Sequence, residues 1–202
     1  TITGGNAVSA GCIGGGGILV THPDLEYVYD GPVSPVNAVF ENLILTDNTA
    51  AAGAGISIWR VSGPTLSNLI IQENTSEHYG GGLMIFSANA SVTDITVTGN
   101  NCYRNDSVGG GMIINNSEAT LTNVTVNDNT ASYGGGIFIL DTDAALINLT
   151  VSGNTATFFG GGLFVGANTN PILTNSIIWG NDPTQIQGLG TPTITYSDIQ
   201  YV

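Results

Sequence analysis

The sequence predicts an all-β fold, a right-handed single-stranded parallel β-helix of about six full coils with about 26 residues in each. Three observations carry that prediction. First, one pattern is written six times, from Phe40, Leu66, Val92, Leu121, Leu146 and Leu173: an apolar residue, Asn or Asp two positions on, an apolar pair, and a closing Asn. The closing residues form the column Asn48, Asn74, Asn100, Asn129, Asn154 and Asn181, at steps of 26, 26, 29, 25 and 27. Second, the segments after the glycine clusters alternate with period two, as half-buried strands do. Third, no amphipathic stretch with a 3.6-residue period competes with them.

Taken in order, residues 1–20 hold a partial copy, with Gly15, Gly16 and Gly17 leading into Ile18, Leu19 and Val20. The segment His22 to Val36, HPDLEYVYDGPVSPV, then interrupts the pattern and reads as an insertion loop, a place where repeat proteins add function. From Phe40 each copy is expected to hold three short strands. The first is Leu43–Leu45 and its equivalents, the second follows the glycines (Ile56–Ile58, Leu83–Ile85, Met112–Ile114, Ile137–Ile139, Leu163–Val165), and the third links into the next copy around Thr65, Ser91, Thr120, Ala145, Ile172 and Thr193. In the second strand, Ile56, Leu83, Met112, Ile137 and Leu163 form an aliphatic column that points inward, as do Ile58, Ile85, Ile114, Ile139 and Val165. One coil cannot bury its own aliphatic face, so stability comes from stacking on neighbours.

Two Asn columns suit corners, because Asn tolerates left-handed backbone and its amide both donates and accepts. They are Asn48 to Asn181, read as a structural ladder, and Asn42, Asn68, Asp94, Asn123, Asn148, Asn175. Replacing Asn129 by Leu is expected to cost about 1–3 kcal/mol. The glycine triplets read as tight corners, since they lack GxGxxG spacing, a following helix and any lysine. The copy from Leu173 is shortened, and residues 194–202 start a further coil. The expectation is one β-helix domain over 1–202, a fragment of a longer chain, since the sequence opens inside a degenerate copy without a methionine.

Composition narrows the partners. Fifteen acidic residues stand against Arg60 and Arg104, with no lysine, for a formal net charge of -13. Phosphate backbones and anionic headgroups are bound by cationic clusters, so nucleic acid is excluded as a partner. No run of 18 apolar residues is present to form a transmembrane helix. Cys12 and Cys102 fall about three rungs, roughly 14 Å, apart at the parallel-strand spacing. That favours two free thiols, with a bridge left open if a loop bends. His22 and His78 lack paired spacing, so no zinc site is readable.

The Gly-Gly-Gly-Ile run at Gly134–Ile137, with Leu45-x-x-Asn48, Ile71-x-x-Asn74 and Val126-x-x-Asn129, resembles the repeat of bacterial surface proteins, including the chlamydial polymorphic outer-membrane proteins. That resemblance implies a secreted or cell-surface β-helix, of the kind used by adhesins and passenger domains; similar repeats also occur in polysaccharide lyases and hydrolases. It speaks to the fold more than to the function, because the motif residues build coils and corners.

Three functions follow as expectations. The leading one is a non-catalytic extracellular module for adhesion, scaffolding or self-association, binding a protein or glycan ligand through an outward apolar stripe. That stripe is Trp59, Met84, Phe86, Ile113, Phe138, Leu140 and Phe164, unless the 22–36 loop or another segment covers it. A polysaccharide-active enzyme is the alternative, with Asp47 and Glu73 in one column as a carboxylate pair that also suits weak calcium binding, no other cofactor being expected. An ice-binding face is the third, from Thr96, Thr125 and Thr150 beside Thr98, Asn127 and Ser152. Catalytic residues are not assigned.

Overall fold

The structure, a computed structural model, describes residues 1–7, 15–21, 34–35 and 37–200. Among these residues every strand pairing is parallel, and three sheets run along one axis. Sheet A contains Val39–Thr46, Val61–Gln72, Asn89–Thr98 and Thr120–Asn127, then paired pieces such as Ala145–Ile147 with Thr150–Ser152. Sheet B contains Thr49–Ala52, Thr75–Tyr79, Asn101–Cys102, Thr130–Tyr133 and Thr155–Phe159. Sheet C contains Ile56–Trp59, Leu83–Phe86, Met112–Asn115, Ile137–Leu140 and Leu163–Val165. The chain passes through A, B and C once per coil, which is the predicted parallel β-helix.

Two details differ from the sequence expectation. The linking strand and the first strand both belong to sheet A, continuous through one residue at positive φ. Sheet B was not anticipated. Its strands are short and rich in Ala, Ser and Thr, so they carry little aliphatic signal; pairing with the coils on either side defines them.

The core is like on like. Leu45, Ile71, Val97, Val126, Val151 and Ile178 stack in register, as do Leu66, Val92, Leu121, Leu146 and Leu173, and each is essentially without solvent exposure. Burying each such side chain contributes about 1.5–3 kcal/mol, available only while the neighbouring coil is in place.

The corner chemistry divides between residue types. In the column Asn42, Asn68, Asp94, Asn123, Asn148 and Asn175 every residue is left-handed, with φ between 51 and 57°. The inner column is different: the left-handed residue is the one before each ladder Asn (Asp47, Glu73, Gly99, Asp128, Gly153 and Gly180), and the Asn itself turns inward. Each ladder Asn is fully or almost fully buried. The Asn100 backbone N–H and Nδ2 donate to Asn129 Oδ1 at 2.9 and 3.0 Å, and Asn129 donates in the same way to Asn154 Oδ1. Each amide also reaches carbonyls, Val97 and Asn127 in the case of Asn129. At the far end Asn181 finds the Gln185 Oε1 at 2.7 Å instead of another Asn.

The glycine triplets serve two needs. Gly80, Gly109, Gly134 and Gly160 take φ of 53–67° at the B–C corner. The third glycine of each triplet lies against the ladder: a Cβ on Gly111 would stand 2.7 Å from the Gly136 carbonyl oxygen and 2.9 Å from Asn129 Nδ2. The longest step, between Asn100 and Asn129, places its extra residues in an exposed turn at Tyr103–Asp106 and leaves the register of sheets A and C intact.

Candidate functional site: an aromatic corner between sheets B and C

The apolar stripe is real as a column but is not a free surface. Met84 and Ile113 are 1% and 3% exposed and Phe138 only 9%. With Ala52 they form a second, smaller hydrophobic cluster, against which Trp59, Leu140, Phe164, Val108 and Tyr133 pack half-buried. Trp59 and Phe86 stack face to face at 4.2 Å, and Phe138 and Phe164 at 4.9 Å, so these rings cover one another. Among the described residues the cover comes from another segment, the end of sheet B. At that end the strands bulge in two coils, within Ser76–Tyr79 and Ala156–Phe159, and Val108 and Tyr133 pack against the outer face of sheet C. The His22–Val36 loop lies almost wholly outside the described residues; Ser34–Pro35 pairs with Val61 and Ser62 in sheet A.

That arrangement moves the exposed aromatic surface one corner along. Ala52, Tyr79, Val108, Tyr133 and Phe159 pair coil to coil in one column. Phe158 and Phe159 are 44% and 46% exposed. Tyr133 lies at the middle of the group, with ring centroids 5.2 Å from Phe158 and 6.0 Å from both Phe159 and Phe164. Tyr103, on the exposed turn, and Tyr79 extend the aromatic surface along the axis. Polar groups rim it. Arg104 Nη2 meets Glu77 Oε2 at 2.8 Å, which holds the Glu77 carboxyl below the usual range, and His78 Nδ1 lies 3.4 Å from Asp106. Individually, Tyr79, Tyr133, Phe158 and Phe159 read as variable letters before a glycine cluster. A signal was nevertheless present, since an aromatic residue precedes Gly80, Gly134 and Gly160 at the same place in three coils.

The other candidates are distributed around the coil. Asp47 and Glu73 occupy the left-handed corner before the ladder, on adjacent coils, with Thr46 donating to Asp47. A polar groove of about 840 Å³ runs along the C–A corner, where Asn89, Asn116, Glu118, Asp141, Asp143 and Asn168 project from four successive turns. Its acids are partly engaged, the Asn170 backbone N–H donating to Asp143 at 2.7 Å. Among the described residues no group of three or more His, Cys, Asp or Glu side chains is placed to hold a metal ion. Cys102 is a free, buried thiol at 3.0 Å from Ser76 Oγ, its pKa pushed up to about 12 by burial; Cys12 lies outside the described residues. Among the described residues no helix is long and apolar enough to cross a membrane.

The family model described as "Right handed beta helix region" matches residues 14–178, most of the coils described above. The chain belongs to that family. Among curated proteins and solved structures, none matches this right-handed β-helix. The family membership accounts for the coiled stack.

Proposed function

We propose that this β-helix is a non-catalytic binding module of an extracellular or cell-surface protein, and that it holds a neutral glycan chain along the aromatic corner. The observation that supports the reading is the in-register column Tyr79, Val108, Tyr133 and Phe159, aromatic in three of its four coils, with Phe158 beside it, on a surface where aromatic side chains would ordinarily be covered. Rings repeated along an axis suit a ligand that itself repeats along its length, and aromatic faces suit the apolar faces of sugar rings. Charge complementarity selects the class. At a net charge of -13, with Arg104 already held by Glu77, a polyuronate or sulfated glycan would be repelled. The motif resemblance to bacterial surface repeats supports the location outside the cell.

The test is affinity electrophoresis and calorimetry of the whole chain against soluble neutral and anionic polysaccharides, followed by the Phe158→Ser, Phe159→Ser double variant. Retardation by neutral glycans, lost in the double variant at unchanged melting temperature, is the expected result. Absence of binding across the neutral panel overturns the reading. So does a double variant that keeps glycan binding but loses self-association by sedimentation, which would make the corner a contact between copies.

A further inference from the structure

A second face, on the outside of sheet A, points to a different kind of ligand. Between the Asn42 column and the Asn48 column each coil presents two outward positions. The first is filled by Ile44, Ile70, Thr96, Thr125, Thr150 and Ile177, which pair one to one without a slip. The second gives the central coils the rows Thr96-x-Thr98, Thr125-x-Asn127 and Thr150-x-Ser152.

The chemistry of this face is selective. The first column contains only β-branched residues, whose χ1 is stiff, so methyls and hydroxyls are held at fixed positions. Over these six coils neither column contains a charged side chain, although the chain carries 15 acids and three of them, Asp47, Glu73 and Asp128, stand at the adjoining corner. The spacing is set by the backbone: about 4.8 Å from coil to coil and about 6.6 Å between alternate residues of one strand. Both borders are braced. On one side runs the buried Asn ladder. On the other, exposed side-chain amides donate coil to coil, Asn68 to Asn42 at 2.6 Å, Asn123 to the Asp94 carboxylate at 2.8 Å and Asn148 to Asn123 at 2.9 Å. The result is an uncharged, rigid, two-dimensional lattice of hydroxyls and methyls.

A lattice of that kind is complementary to a partner that is itself periodic. A second copy of this chain is the periodic protein surface on offer, and at a net charge of -13, with Asp47, Glu73 and Asp128 along the adjoining corner, copies repel one another; a crystalline polysaccharide would be met by aromatic planes, which this face lacks until Trp179 at its far end. Water ordered on the hydroxyls and around the methyls is the periodic partner that remains. We infer that the central coils of sheet A bind ice, using Thr96, Thr125 and Thr150 as the anchoring column. This site is independent of the aromatic corner.

The experiment is nanolitre osmometry with microscopy of growing ice crystals, on the whole chain and on Thr125→Lys, Thr98→Lys and Phe158→Ser. The expected result is faceted crystals and a thermal hysteresis gap for the parent and for Phe158→Ser, both lost in the two lysine variants, whose strand-rich circular dichroism stays unchanged. Round ice discs and no gap in the parent overturn the inference. Hysteresis that survives both lysine substitutions also overturns it, by placing the activity on another face.

Discussion

Replacing Asn129 removes a buried amide whose partners are all named. The side chain accepts from the Asn100 backbone N–H and Nδ2, and donates to Asn154 Oδ1 and to the carbonyls of Val97 and Asn127. In Asn129→Leu the Asn100 N–H loses its acceptor in a fully buried position, which costs about 1–3 kcal/mol, and the remaining amide bonds add about 1 kcal/mol more. The expected loss is about 2–4 kcal/mol. Because coils depend on their neighbours, it should appear first as faster hydrogen exchange in the coils flanking residue 129. Asn129→Asp sharpens the test. It keeps the acceptor toward Asn100 but turns a second oxygen toward three oxygen acceptors, so the folded carboxyl favours its protonated form and its pKa rises above the unfolded value of about 3.9. A raised folded pKa gives stability that is complete below the unfolded pKa and is lost as pH rises through the folded one. The Asp variant should therefore come nearest to the parent at about pH 4 or below and fall away toward neutrality. Urea melts at several pH values measure this. A Leu variant that melts with the parent, or an Asp variant with a flat pH difference, would refute the inward ladder as the source of stability.

Three further outcomes follow from the same geometry. Gly111→Ala, whose Cβ would press on Gly136 O and the ladder amide, should cost about 3 kcal/mol; Gly99→Ala, where the nearest atom is Glu73 Cγ at 3.6 Å, should cost only the left-handed backbone penalty of about 1–2 kcal/mol, and urea denaturation ranks the two. Ile113→Ser should destabilise by about 2–4 kcal/mol because the stripe is covered, whereas Phe158→Ser should leave the melt almost unchanged; equal effects would contradict the second cluster. In a Cys12→Ser background, Cys102 should resist a thiol reagent at pH 8, since a pKa of about 12 leaves roughly one part in ten thousand as thiolate, and should react fully in urea; prompt labelling of the native protein would show that the thiol is open.

The coil was legible because its determinants are local and repeated. Ile56, Leu83, Met112, Ile137 and Leu163 announce an inward column by period two, and the Asn steps give the coil length. The division of labour between the two Asn columns was not legible, because the left-handed residue beside the ladder is an acid in some coils and glycine in others. That Met84, Ile113 and Phe138 are covered was not legible for a related reason. Period two says that Met84 and Phe138 point away from the first core, yet only the course of the chain at the end of sheet B, which packs Tyr133 and Val108 against them, determines whether anything lies above them. A residue count cannot reveal that course. The groove beside Asp141 and Glu118 is set by how consecutive turns project, which strand periodicity does not report.

The buried amide column has a direction. From Asn48 through Asn181 the amide-to-amide bonds all run one way, each Nδ2 donating to the side-chain oxygen of the later coil, so the amide dipoles add along the axis and polarise one another. Gln185 Oε1 supplies the acceptor where the series of asparagines stops, and Gly5 N–H the donor where it starts. Growth of such a stack by duplication or grafting is therefore vectorial: a new coil must arrive with its oxygen facing the last donor, and two stacks can be spliced head to tail but not tail to tail.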